Sequence, residues 1–154
     1  MFVGESTHTL DSKSRVFVPK RIQDEIPRNE EGERAVVITR GFERCLFLFP
    51  GSDFEQMIER LRTQAFGGEE LRRMQRLFFS NAHRASVDGS GRLLIPEKLR
   101  KVAGLEKEVV IVGVADRVEM WSQAAWDAFN ESHDAEFDNL DVVLCGEDGP
   151  PGEG

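Results

Sequence analysis

Asp11-Ser12-Lys13-Ser14-Arg15-Val16-Phe17-Val18-Pro19 returns, 77 positions later, as Asp88-Gly89-Ser90-Gly91-Arg92-Leu93-Leu94-Ile95-Pro96. Both copies run Asp, three small or polar residues, Arg, three apolar residues, Pro. A doubled motif of this kind implies two equivalent structural units in one chain. The flanks repeat as well. Ala35 to Thr39 has its counterpart in Glu108 to Val112 at an offset of 73, so four residues are missing from the loop between, where a change of length costs least. Asp116-Arg117 echoes the turn Glu43-Arg44, and Trp126 echoes Phe54. Each unit is expected to run β-β-α-β-β and then a helix.

Local signals fill in this plan. In the first unit, strands are expected over 2–9, 16–18, 35–39 and 45–49, the last pair joined by a turn at 41–44. Pro19 suits the first turn of a helix, so 20–26 is expected to be helical and stopped by Pro27. The second unit gives strands over 81–87, 93–95, 108–112 and 118–121, with a helix from Pro96 through Val102 ended by Gly104. Between the units, Ser52 or Asp53 opens a helix with Phe54, Met57/Ile58, Leu61 and Ala65 in its apolar stripe, broken by Gly67-Gly68. A second helix from Glu69 carries Leu71, Met74, Leu77 and Phe78 on one side, and Arg72, Arg73 and Arg76 form a solvated or salt-bridged face on the other. The divisions expected are 1–50, a helical connector 51–80, 81–122, a helix 123–137, and a disordered acidic tail 138–154.

Charge leaves the partner open. The net charge of −8 argues against a polyanion, but its distribution is uneven. Residues 1–100 carry 17 Lys+Arg against 15 Asp+Glu, whereas 101–154 carry 3 against 13. Fields between exposed charges are screened beyond about 8–10 Å at physiological salt, so an acidic tail does not exclude a basic face elsewhere. No run approaches the roughly 18–20 apolar residues of a membrane span. The N-terminal residues lack a signal-peptide pattern, and Cys45 and Cys145 form no CxxC pair, so a cytoplasmic protein with reduced thiols is expected.

The motif itself makes a tight connection between strands. An Asp carboxylate can accept the backbone N–H two residues on and hold the turn. Gly89 and Gly91 supply freedom for positive φ in the second copy. The Arg at the exit either braces the loop by pairing with the Asp or reaches outwards. Lys13, present only in the first copy, points to that loop as the more ligand-facing.

Taken with Met1-Phe2, Val18-Pro19, Ile95-Pro96, Leu71-Arg72-Arg73-Met74-Gln75-Arg76-Leu77 and Glu108-Val109-Val110-Ile111-Val112-Gly113, the paired motifs resemble those of the MraZ family of bacterial transcriptional regulators over residues 1–137. The resemblance implies an α+β fold of two tandem AbrB-like (SpoVT-AbrB, swapped-hairpin) units about a pseudo-two-fold, with connecting and C-terminal helices. It further implies a homo-oligomeric ring in the cytoplasm and nucleoid. Such rings bind short G-rich direct repeats in double-stranded DNA ahead of a cell-division and cell-wall gene cluster that includes the regulator's own gene. The family's DNA-binding role attaches to the first motif's Arg, here Arg15. An Arg fork satisfies guanine O6 and N7 bidentately. Lys13, Lys20 and Arg21 are the expected phosphate contacts, Asp11 and Asp88 orient the loops, and Arg92 either contacts DNA likewise or is a structural echo. The family commonly has Gly before the first Arg, where this chain has Ser14, so the first turn is expected to differ slightly in shape.

No enzyme, cofactor, metal or small-molecule substrate is expected. An aspartic dyad of Asp11 and Asp88 is opposed by the cation beside each, which keeps the carboxylates ionised. His8, His83 and His133 have no metal-ligand spacing, and the acidic run from Asp134 to Asp141 lacks the Gly and Glu of a calcium loop. The alternative is an AbrB-type module with a protein partner, an antitoxin or assembly scaffold. An antitoxin would display a long partner-binding tail with apolar anchors, whereas 138–154 offers only Leu140, Val142, Val143 and Leu144.

Overall fold

The β-branched runs Val36-Val37-Ile38 and Val109-Val110-Ile111 each form the centre of a strand in an antiparallel hairpin. The computed structural model describes residues 1–62 and 67–146; Ala65, and 147–154 of the expected tail, lie outside the described residues. The strands are β1 Glu5–Thr9, β2 Arg15–Phe17, β3 Arg34–Arg40, β4 Leu46–Pro50, β5 His83–Val87, β6 Arg92–Leu94, β7 Glu108–Val114 and β8 Arg117–Ser122. The helices are α1 Lys20–Gln23, α2 Gly51–Arg62, α3 Glu69–Ser80, α4 Glu97–Ala103 and α5 Gln123–His133, followed by a 3-10 segment Asp134–Leu140 and α6 Asp141–Cys145. The class is α+β. Among the described residues, no helix is long and apolar enough to cross a membrane.

Six strands form one antiparallel sheet in the order β1-β7-β8-β4-β3-β5. Interchanging the repeat equivalents (β1 with β5, β7 with β3, β8 with β4) leaves that order unchanged. The outer strands are exchanged between the halves. β1 pairs with β7 through Thr7 and Val110, and β5 pairs with β3 through Ala85 and Val36. β4 and β8 join the halves at the centre, Leu48 opposite Val118. Neither half completes its sheet without the other.

β2 and β6 stand apart as a two-stranded ribbon, Val16 opposite Leu93. Their inward residues Val16, Val18, Leu93 and Ile95, with Ile22 of α1 and Leu99 of α4, pack on Val36, Ile38, Val109 and Ile111 of the sheet. Each such side chain is worth about 1.5–3 kcal/mol when fully buried, so this cluster fixes the ribbon against the sheet. The opposite face of β4 carries Phe47 and Phe49. Phe49 meets Phe54 of α2 and Phe78 of α3 at ring-centroid distances of 6.3 and 6.4 Å. With both faces covered, every residue of β4 is buried.

Three elements depart from the pattern-based expectation. The helix expected over 123–137 closes at His133 and gives way to the 3-10 segment. α1 closes at Gln23, and the chain continues to Ile26 by turn bonds such as Ile26 N–H to the Gln23 carbonyl at 3.0 Å. Residues 138–145 are helical, because Phe137, Leu140 and Leu144 recur at helical spacing within a polar run. Residues 1–123 form one compact unit, and the chain from Ala124 onward forms a second. Within the second, Trp126 and Phe129 stack at 5.5 Å.

Candidate nucleic-acid interface

The two Asp loops are built alike from the backbone outward. Asp11 Oδ1 accepts the Lys13 and Arg15 N–H groups at 2.8 and 2.9 Å; Asp88 Oδ1 accepts those of Ser90 and Arg92 at the same distances. In both loops the Asp N–H donates to the Arg carbonyl at 2.9 Å. The residue before each Arg is left-handed, Ser14 with φ 61° and Gly91 with φ 79°. Ser14 therefore follows the same turn that Gly91 makes, at the strain cost a non-glycine residue carries there. The loops also tie to each other reciprocally. Val18 N–H donates to the Gly91 carbonyl at 2.8 Å, and Ile95 N–H to the Ser14 carbonyl at 3.0 Å.

The side chains break this symmetry. Arg15 Nε donates to Asp11 Oδ2 at 2.9 Å, and Arg92 Nη1 reaches across to the same oxygen at 3.3 Å. Asp11 thus anchors both arginines. Backbone donation from Arg15, then from Lys13, with the Arg15 guanidinium beside it, holds the Asp11 carboxyl below the usual carboxylate range. The brace and the outward reach proposed for the Arg are compatible. Nε of Arg15 holds the loop, and among the described residues its two terminal amino groups bond to no protein atom.

Strand alternation decides what else lies on the surface. Val16 and Leu93 face the core, so Arg15 and Phe17 on β2, and Arg92 and Leu94 on β6, lie on the outer face of the ribbon. Arg15 stands opposite Leu94, and Phe17 opposite Arg92. Phe17 and Leu94 are 41% and 51% exposed, large values for apolar residues in strands. They are candidate site residues absent from the motif-based set, although the period-two pattern of Arg15-Val16-Phe17-Val18 already carried the signal.

The remaining basic candidates differ in availability. Lys13 is exposed at the tip of the first loop, and among the described residues its ammonium has no partner. Lys20 pairs with Asp24 at 3.3 Å and, with Arg28 and Arg34, borders a cleft of about 510 Å³ beside Asp88 and Gly89 of the second loop. Arg21 is engaged within the fold. Its Nε donates to the Val3 carbonyl at 3.1 Å, Nη1 to Ser6 Oγ at 3.0 Å and Nη2 to the Ile111 carbonyl at 3.3 Å, which pins the N-terminal segment to β7.

The same chain is covered by the family model described as "MraZ protein, putative antitoxin-like", which matches twice, over residues 1–77 and 78–143. The chain belongs to the MraZ family. The double match falls on the two halves that exchange β1 and β5. Among curated MraZ relatives, the "Transcriptional regulator MraZ" of Carboxydothermus hydrogenoformans is 41% identical over 140 residues, covering 91% of this chain and 94% of the relative. That of Desulforamulus reducens is 40% identical with the same coverage. That of Heliobacterium modesticaldum is 42% identical over 131 residues, 85% of this chain and 87% of the relative.

Proposed function

We propose that the protein is a sequence-specific DNA-binding transcription regulator of the cytoplasm and nucleoid. In this reading two swapped-hairpin units, 1–50 and 81–122, display their Asp-x-x-x-Arg loops on a ring of copies and read short G-rich direct repeats upstream of the protein's own cell-division and cell-wall gene cluster. The observation that carries it is the ribbon, whose outward face bears Arg15 and Arg92 on loops cross-tied by Asp11. A two-stranded ribbon is one of the two shapes the DNA major groove admits, and an arginine fork is the commonest reader of guanine there.

The roles follow from availability. Arg15 reads guanine with its two terminal amino groups while Nε keeps the loop in register. Arg92 stands beside it as a second donor. Lys13, and Lys20 beside the second loop, take phosphates and so position without specifying. Asp11 and Asp88 hold their loops through backbone N–H groups. Arg21, with its guanidinium engaged by Val3, Ser6 and Ile111, acts by holding β1 in place.

The test is a mobility-shift assay on the region upstream of the protein's own gene. Arg15→Ala is expected to lose repeat-specific binding while leaving the oligomer intact. Equal binding by the variant and the wild type would refute the assignment. A second reading, an antitoxin-type module with a protein partner, is favoured by the exposed apolar residues Phe137, Leu140, Val143 and Leu144. It predicts no shift with the upstream DNA.

A further inference from the structure

Among the described residues, large exposed apolar side chains concentrate in two places outside the ribbon and the first residues of the chain, one on each compact unit. The C-terminal segment holds Phe137, Leu140, Val142, Val143 and Leu144, the first 70% and the last 79% exposed. In a 3-10 segment, residues three apart eclipse, so Phe137 and Leu140 share a face. Leu144 follows Leu140 by one α-helical turn. These three and Val143 line one concavity of about 610 Å³. Asp134, Glu136, Asp138 and Asp141 alternate with them, and no Lys or Arg follows Arg117.

The other place is a groove of about 400 Å³ between α3 and the β3–β4 turn. Phe42, Met74, Leu77 and Phe78 form its apolar lining, and Arg40 and Arg44 outnumber Glu43 on its rim. Phe42 is 68% exposed, and α3 buries none of its residues despite its clear apolar stripe. Arg72, Arg73 and Arg76 are exposed on the same helix. One surface is apolar and acidic, and the other is apolar with a predominance of arginine.

We propose that residues 137–144 of one copy dock as an apolar helical stripe in the Phe42–Leu77 groove of a second copy. An apolar helix face seated in an apolar groove is a general recognition mode, with i, i+3 and i+7 anchors. Phe137, Leu140 and Leu144 supply those anchors. The acidic residues between them meet Arg40 and Arg44, which sets orientation. The contact is heterologous: the copy that donates its tail keeps its own groove open for the next, so repetition closes a ring or extends a filament. A foreign partner is disfavoured because every chain carries both the segment and the groove, and the two match in both charge and apolarity. The inference rests on the self-association in the proposed function and is independent of DNA recognition.

Cys145 supplies a probe. It lies at the end of the stripe, whereas Cys45 is buried and burial pushes its thiol up to about 12. In the full chain carrying Met74→Cys, a short bis-maleimide is expected to link Cys145 of one copy to the new groove thiol of another. On a denaturing gel this gives species of two and more chains, which disappear when Cys145→Ser is added. Leu77→Asp and Leu144→Asp, both at exposed positions, are each expected to shift the unlinked protein toward monomer in light scattering, with an unchanged circular dichroism spectrum. A link confined within one chain would overturn the proposal. So would absence of a link in a protein that still assembles, because the assembly then uses another surface. A wild-type monomer would remove the self-association reading and this contact together, whereas the DNA reading is judged separately by the shift assay.

Discussion

At residue 91 the backbone is left-handed and the space is already occupied. A Cβ there would sit 2.6 Å from Gln23 Nε2 and 2.8 Å from the Phe17 ring. Gly91→Ala therefore combines backbone strain with displacement of the Gln23 and Phe17 side-chain ends and is expected to cost about 1–2 kcal/mol in chemical denaturation. Gly89 has nothing within 4 Å of its Cβ position and no positive φ, so Gly89→Ala is expected to stay within about 0.5 kcal/mol of wild type. Equal costs at the two positions would contradict this account of the loop. Asp11 gives a pH-dependent counterpart. Its folded value lies below its unfolded one, so its contribution is complete above the unfolded value of about 3.9 and is lost as pH falls through the folded value. A carboxyl-carbon NMR titration is expected to place Asp11 below about 3.9, and a midpoint at or above that figure would refute the bracing described here.

Among the elements, the exchange of outer strands puts the greatest demand on β1 and β7. Phe2 and Ala115 exchange both backbone hydrogen bonds, at 2.8 and 2.9 Å, and Gly113 N–H donates to the Gly4 carbonyl at 2.8 Å. A Cβ on Gly113 would fall onto the backbone of Phe2 and Val3, which cannot rotate aside as a flexible side chain can. Gly113→Ala is thus expected to destabilise by about 2–3 kcal/mol, lowering Tm by about 6 °C or more; an unchanged Tm would show that the N-terminal segment is not held as described. This is also where sequence legibility ends. The eight strands were readable because alternation, β-branching and the doubled motif reinforce one another. Their partners were not. β1 joins β7 about a hundred residues away, and nothing in the periodicity of Glu5–Thr9 names Glu108–Val114 as its neighbour. The loops divide in the same way. Asx-type turn chemistry foretold the bonds from Lys13 and Arg15 N–H to Asp11, but the reach of Arg92 to that carboxylate needs the halves to be assembled. In the tail, composition hid a short helical stripe, because a net-polar run can still place three apolar residues on one face.

For the whole molecule, charge separation decides whether a chain of net −8 can engage a polyanion. Every Lys and Arg lies at or before Arg117, so the first compact unit carries 20 cations against 19 anions and the remainder of the chain carries 9 anions alone. In the proposed function, what a DNA strand meets is therefore set by the cations near the ribbon, chiefly Lys13, rather than by the total. Counterion release makes the consequence measurable, since each neutralised phosphate contributes about −0.9 to the slope of log Kobs against log salt on duplex DNA. Lys13→Ala is expected to weaken binding to repeat and scrambled DNA by similar factors and to reduce the slope by about one per occupied loop. Arg15→Ala is instead expected to remove the difference between the two DNAs, because a bidentate guanine contact is worth about 1–3 kcal/mol of discrimination. An assembly multiplies both effects, since each further loop binds at high effective concentration once the first is engaged. Salt titrations of the two variants on both DNAs separate the positioning charge from the specifying one. A Lys13 variant that loses repeat preference while keeping its salt slope would reverse the roles assigned to the two residues.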